Sequence, residues 1–377
     1  MYASEDDIQP GDAYDRETVM AQCISSLDEL ENYVPLDEGQ RTRLQAIINE
    51  HPLLVTKYYM SLIDWTYPDD PIRKMVIPSL EEESIFGSYD TSGEEQNTIK
   101  IGIQHKYSQT ALILTTNRCL AYCRFCFRKR LVGLSEKEIL SNIEEAREYI
   151  ENNSSITNVL LSGGDPLVLN NNIIRHLLES FTSIDHVRYV RFGSRVPVVY
   201  PTRFKDPELI SLFKKYSSPT KRVHVVTHFN HPNEITDESI TGIDALMRAG
   251  VDIHNQTVLL KGVNDDPKVL SNLFLSLTSI GIAPYYLFQC RPVCSVTHFQ
   301  VPIETALDIV RDTRRMLDGL SKRFRFVMSH LEGKIEVVAK DDTNVYFRFH
   351  QAKDASRCGE FFHCPRNPEA YWLDDYY

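Results

Sequence analysis

The sequence predicts an α/β protein whose core is a partial (βα)6 barrel of the TIM type, with a helical extension before it and a small β-rich segment after it. Two observations carry this. From residue 111 onward, short apolar runs alternate with amphipathic stretches six times in succession, the pattern of a parallel sheet with crossover helices. After residue 321 the helical periodicity stops and short β-type runs replace it. Six units rather than eight favour an incomplete barrel.

Residues 1–105 read as a helical extension or arm. Apolar positions recur at helical spacing over 19–33 and 41–48, and Asp37 is placed to cap the second helix. Residues 67–97, rich in Pro, Asp, Ser, Gly and Glu, read as a loop laid over something else. The core, 106–320, offers strands at 111–115, 159–161, 187–192, 223–226, 253–259 and 285–289. Helices are expected at 135–150, 173–181, 207–216, 237–249, 268–279 and 303–320, with Ser135 and Glu138 in capping-box spacing at the start of the first. The segment 321–377 offers β-type runs at 323–328, 335–338 and 345–350, then a tail with Cys358 and Cys364.

Composition narrows the function. Of 377 residues, 41 are Lys or Arg and 52 Asp or Glu, so the net charge of −11 opposes a general nucleic-acid binder. No apolar run of about 18 residues is present to span a membrane. The start is acidic rather than basic and then apolar, so the cytoplasm is the expected location. No G-x-G-x-x-G follows a strand, which leaves a nicotinamide dinucleotide fold without support. Eight cysteines are too few for a disulfide scaffold, and three of them crowd into eight positions.

Those three, Cys119, Cys123 and Cys126, follow directly on the first core strand with the spacing C-x3-C-x2-C. A structural zinc site wants four ligands. Three thiolates on one loop suit a [4Fe–4S] cluster that leaves one iron open. Parallel α/β folds carry their chemistry at the C-terminal ends of strands, where this loop sits.

The loop, with Phe125 before its third cysteine, resembles the radical S-adenosylmethionine (SAM) superfamily. In that superfamily the open iron binds SAM, and an electron cleaves SAM to a deoxyadenosyl radical. Further segments resemble the lysine 2,3-aminomutase family from about residue 105 to 338. They are Leu161-Ser162-Gly163-Gly164-Asp165-Pro166-Leu167, Gly193-Ser194-Arg195-Val196-Pro197-Val198, Thr227-His228-Phe229-Asn230-His231-Pro232, the run from Asn255-Gln256-Thr257 to Val263-Asn264-Asp265, and Pro284-Tyr285-Tyr286-Leu287-Phe288-Gln289-Cys290. Glycines at 163 and 164 let backbone approach a ligand closely, and Asp165 can accept from an ammonium or hydroxyl. The resemblance implies that Gly163, Gly164, Asp165, Ser194, His228 and Gln256 contact SAM.

It also implies pyridoxal 5'-phosphate (PLP), held as a Schiff base on Lys334 of Glu332-Gly333-Lys334-Ile335. Desolvation at the start of an apolar strand lowers a lysine pKa and favours that bond. Lys106, in His105-Lys106-Tyr107, matches the segment that binds the PLP phosphate. A second phosphate arginine usual in the family falls on Thr110.

The implied reaction moves an α-amino group to the β-carbon, with Arg128 on the substrate α-carboxylate. Lysine-specific members carry an aspartate where this chain has Arg291, and a second where it has Val327, or Met328 or Ser329 if the alignment slips. A guanidinium repels an ammonium and pairs with a carboxylate, so the expected substrate is acidic, glutamate before aspartate. The family's zinc ligands are not reproduced: Asp266 stands at one cysteine position, and Cys358 and Cys364 are by default buried thiols, the alternative being a metal held by those two with Cys290 or Cys294. Weighed against this are a PLP-independent radical reaction, a protein-lysine isomerase and a non-catalytic iron–sulfur electron-transfer protein. The expected partners are a small amino acid and a donor such as flavodoxin or ferredoxin, with no nucleic acid and no membrane. A homo-oligomer is expected, the long extension wrapping a neighbour.

Overall fold

The computed structural model describes residues 21–377. A short pair, β1 (Cys23–Ile24) and β2 (Val55–Thr56), lies apart from one twelve-stranded sheet. That sheet runs in chain order as β3 (Thr98–Lys100), β4 (Ile103–Tyr107), β5 (Thr110–Thr116), β6 (Asn158–Gly163), β7 (Tyr189–Gly193) and β8 (Arg222–Thr227). It continues as β9 (Asp252–Leu259), β10 (Ala283–Gln289), β11 (Arg325–His330), β12 (Gly333–Lys340), β13 (Asn344–Ala352) and β14 (Phe361–Pro365). Every neighbour in the sheet is the next in sequence. From β5 to β11 the pairings are parallel, and the strands beyond either end are antiparallel.

Each parallel step is made by one helix, because a parallel crossover needs one. The six are Ile143–Glu151, Asn171–Thr182, Pro207–Tyr216, Asp237–Arg248, Pro267–Ser279 and Ile303–Arg315. Asn171–Thr182 shows why they form: Asn170 caps it by accepting from the Ile173 amide at 2.9 Å, and Ile174, Leu177, Leu178 and Phe181 fall on one buried stripe. In β9, buried Ile253, Asn255, Thr257 and Leu259 alternate with half-buried His254, Gln256 and Val258 on the opposite face.

The sheet is strongly curled. Lys106 on β4 and His330 at the end of β11 are seven ladder steps apart, roughly 34 Å in a flat sheet at about 4.8 Å per step. Yet the Lys106 Nζ donates to the His330 carbonyl at 2.5 Å. The sheet therefore bends round so that the Lys106 side chain of β4, one strand beyond the parallel region, reaches the end of β11.

Several elements depart from expectation. The helix expected at 135–150 is confined to Ile143–Glu151 and capped by Asn142; Glu138 instead pairs with Arg130, and Ser135 accepts only from the Lys137 amide. The helix expected at 303–320 ends at Arg315. Over 19–33 only Leu27–Leu30 is helical, residues 19 and 20 lying outside the described residues. Asp37 does cap Glu38–Glu50. The 67–97 loop contains short helices, Pro71–Val76 among them, that bury Ile72, Met75 and Val76. Strand β14 was not foreseen, its short run ending in Pro at a sheet edge.

Candidate active site

The loop leaving β5 carries Cys119, Cys123 and Cys126, and the extension grips it as a collar. Ala121 bridges Val55, the Tyr122 amide donates to the Leu54 carbonyl at 2.8 Å, and the Arg124 amide donates to the Met75 carbonyl at 2.8 Å. The fully buried Arg124 guanidinium bonds Glu82 and the carbonyls of His51 and Pro52. Lys129 reaches the same Glu82 carboxylate at 2.7 Å. Burial pushes the Glu82 carboxyl up, but Arg124 and Lys129 outweigh it and hold it below its ordinary value.

From the other side, β6 presses its Gly-Gly-Asp turn onto the loop. The Gly164 amide donates to the Thr116 carbonyl at 2.5 Å and the Asp165 amide to the Arg118 carbonyl at 2.7 Å. A Cβ on Gly163 would collide with the Thr116 carbonyl, and one on Gly164 with the Arg118 carbonyl. The glycines thus allow close backbone packing under the cysteines. Asp165 is likewise committed to protein groups. It accepts from the amides of Leu167 (3.0 Å), Arg195 (2.6 Å) and Val196 (3.1 Å), while burial pushes its carboxyl up to about 6.

The sulfur surroundings fit a cluster. Arg195 Nη1 donates to Cys123 Sγ at 2.8 Å and the Arg128 amide to Cys126 Sγ at 3.4 Å. Burial pushes the Cys126 thiol up to about 11 and that of Cys119 well up too, so thiolates here need added positive charge of the kind iron supplies. Among the described residues, no three His, Cys, Asp or Glu side chains are grouped to hold one metal ion. Cys364 is buried, its thiol donating to the Tyr377 hydroxyl at 3.5 Å, whereas Cys358 is exposed rather than the buried thiol expected.

A second centre lies around Lys334 at the start of β12. Its Nζ sits 4.1 Å from the Tyr286 ring centroid and 5.3 Å from that of Phe288. Burial, with added repulsion from Arg191, Arg291 and Lys106, pushes the amine down to about 7. Lys106 also donates to the Ser92 carbonyl, and burial lowers it to about 8. Arg191 donates to the Asn158 Oδ1 at 2.6 Å, the oxygen that Thr110 also reaches at 3.2 Å, and its buried Nε has no protein partner. A partly neutral amine among cations fits an aldehyde that carries a phosphate.

Between the two centres, Arg291 and Arg128 flank one ring. Their guanidinium carbons lie 4.0 Å and 4.6 Å from the Phe127 centroid. Arg128 is bonded to Glu94 and, at 2.9 Å, to the Ser162 hydroxyl. Arg291 keeps a buried Nη1 without a partner among the described residues, and burial pushes its guanidinium down to about 10. Val327 is fully buried on β11 and supplies no charge.

Of the remaining expected residues, Ser194 is buried, its hydroxyl accepting from the Val196 amide. The His228 ring meets Phe125 edge-on at 5.7 Å and is pushed down to about 3 by burial and Arg195. Gln256 is half-buried on β9. Sequence reasoning missed Glu94, Phe127, Arg191 and Arg195. Two of them carried a signal: Phe127 directly follows Cys126, and Arg195 follows Ser194 within the segment 193–198.

A three-cysteine loop at the end of a strand in a curled parallel sheet, with a desolvated lysine on the same sheet, is the arrangement of a radical SAM protein of the α/β class. Residues 113–273 match the family model described as "Radical SAM superfamily". A protein of Aquifex aeolicus (strain VF5), whose name assigns it provisionally to L-lysine 2,3-aminomutase, is 41% identical over 95% of this chain and 96% of its own. The L-lysine 2,3-aminomutase of Clostridium subterminale is 36% identical over 83% of this chain and 75% of its own. The glutamate 2,3-aminomutase of Clostridioides difficile (strain 630) is 35% identical over 80% and 71%. This chain belongs to the lysine 2,3-aminomutase family of radical SAM enzymes, isomerases for which a [4Fe–4S] cluster, SAM and PLP are typical.

Proposed function

We propose that the chain is a PLP-dependent 2,3-aminomutase acting on an acidic amino acid, glutamate first. The observation that supports it is Arg291: a buried guanidinium beside Phe127 whose Nη1 has no partner among the described residues, among the cations that surround Lys334. A substrate ammonium brought there would meet Arg291, Arg128 and Lys106; a carboxylate would be bonded.

When bound, SAM and the cluster supply a hydrogen-abstracting radical, and PLP supplies an electron sink for the migrating nitrogen. The chain's own part is to bind, orient and exclude water. Cys119, Cys123 and Cys126 would hold the cluster. Gly163, Gly164 and Asp165 shape the SAM floor by fixing the cysteine loop, with Ser194, His228 and Gln256 around it. Lys334 holds PLP, Lys106 and Arg191 face its phosphate, and Arg128 receives the α-carboxylate in competition with Glu94. We read the chain as an extension (1–105), a core (106–320) that curls as a partial (βα)6 barrel, and a C-terminal segment (321–377) bringing Lys334. We place it in the cytoplasm, served by a flavodoxin- or ferredoxin-type donor and assembled as a homo-oligomer.

The test is anaerobic. Cluster-reconstituted protein with PLP, SAM and dithionite is given glutamate, aspartate, lysine or arginine, and β-amino isomers are read by mass spectrometry. A β-glutamate product that vanishes in Lys334→Ala supports the reading. A β-lysine product alone overturns the substrate, and deoxyadenosine without any β-isomer overturns the aminomutase reaction.

A further inference from the structure

Arg195 is held from more directions than its neighbours require. Its backbone amide donates to Asp165 at 2.6 Å. Its Nη2 donates to the Tyr59 hydroxyl at 2.8 Å and pairs with Glu234 at 2.5 Å. Glu234 is fully buried, and its other oxygen accepts from the amides of Asn230 (2.5 Å) and His231 (3.0 Å), so the carboxylate cannot swing away. The Tyr59 hydroxyl donates to the same Glu234 oxygen that Arg195 uses. Its Nε donates to the His228 carbonyl at 3.4 Å, and Nη1 is aimed at Cys123 Sγ. Phe125 and Tyr59 cover its faces, with centroids 5.5 Å and 5.1 Å away.

We propose that the Tyr59–Glu234–Arg195 relay sets the reduction potential of the cluster through a charge-assisted hydrogen bond to the Cys123 sulfur. A thiolate ligand carries more negative charge when its cluster is reduced, so a fixed donor stabilises the reduced form more and raises the potential. Because Arg195, Tyr59 and Glu234 are buried, the donor acts at low dielectric and is little screened. Glu234 offsets part of the guanidinium charge and thereby trims the effect. Since Tyr59 belongs to the extension, that segment contributes to the cofactor's electronics as well as to the collar.

The two charges give opposite expectations. Full-length protein is reconstituted, matched for iron content, and titrated with a reductant series while the reduced cluster is read by electron paramagnetic resonance; SAM affinity is measured in parallel by calorimetry. Arg195→Gln lowers the midpoint potential by about tenfold in the reduction equilibrium, about 59 mV for one electron. Arg195→Lys falls between it and the parent. Glu234→Gln raises the potential, because Arg195 then bears on the sulfur undiminished. Should Arg195→Gln fail to keep iron, the upward shift in Glu234→Gln still decides the matter. Coincident potentials, or shifts of one sign in both variants, overturn the proposal. Weakened SAM binding with an unmoved potential overturns it too, and assigns Arg195 to SAM instead.

Discussion

The Arg291 guanidinium stands 4.0 Å from the Phe127 centroid, on the ring that Arg128 also approaches, at 4.6 Å. Glu94 is the acid that serves both cations, and it bonds Arg128 and Arg130 directly. Arg291 is left short of a partner. Arg291→Gln should therefore raise KM for glutamate roughly 10- to 100-fold, since a hydrogen bond to a charged group is worth about 1.5–3 kcal/mol. Steady-state kinetics check this, and an unchanged KM refutes the assigned contact.

Lys334 should capture PLP at neutral pH. Its amine is pushed down to about 7 by burial and by Arg191, Arg291 and Lys106, so the nucleophilic neutral form is populated there. Borohydride-trapped PLP is expected to rise through about pH 7 and then level off, and to be absent in Lys334→Ala. The same shift acts on stability. Between about 7 and the ordinary 10.5 the unfolded chain binds more protons at this site than the folded one, so stability rises with pH across that window. Without PLP, Lys334→Met should melt higher than the parent near about pH 6 and lose that advantage by about pH 10.

Glu82 is the counter-charge that lets Arg124 and Lys129 lie buried beside the cysteines. Removing it strands two cations. Glu82→Gln should cost about 3–5 kcal/mol in urea unfolding and lower the iron retained per chain. Stability within about 1 kcal/mol of the parent would show the cluster of charges to be a bystander.

The parallel core was legible because each strand and helix carries its own period: Pro207–Tyr216 falls where Asp206 caps a run with Pro in its first turn. The cysteines, Lys334 and Arg291 could be singled out in the sequence because each sits in a short local pattern. The role of Arg195 could not, since its partner Glu234 is 39 residues away and only the fold joins them. Glu94 lay unmarked in the stretch 67–97 that read as a loop, whereas the fold brings it to Arg128, 34 residues on. The extension read as an arm because its grip on the cysteine loop runs through backbone carbonyls of Leu54 and Met75, which leave no trace in side-chain pattern.

The Gly-Gly-Asp turn provides a test that separates packing from ligand contact. At Gly164 an added methyl meets the Arg118 carbonyl, backbone that cannot rotate aside, and the loop between β5 and Cys119 has to move. Gly164→Ala is expected to cost about 1–3 kcal/mol and to lower iron content even when SAM and PLP are withheld. Gly319→Ala, with nothing within 4 Å of the new methyl, should match the parent in both. If Gly164→Ala instead takes up iron normally and fails only to bind SAM, the glycine serves the ligand and not the loop.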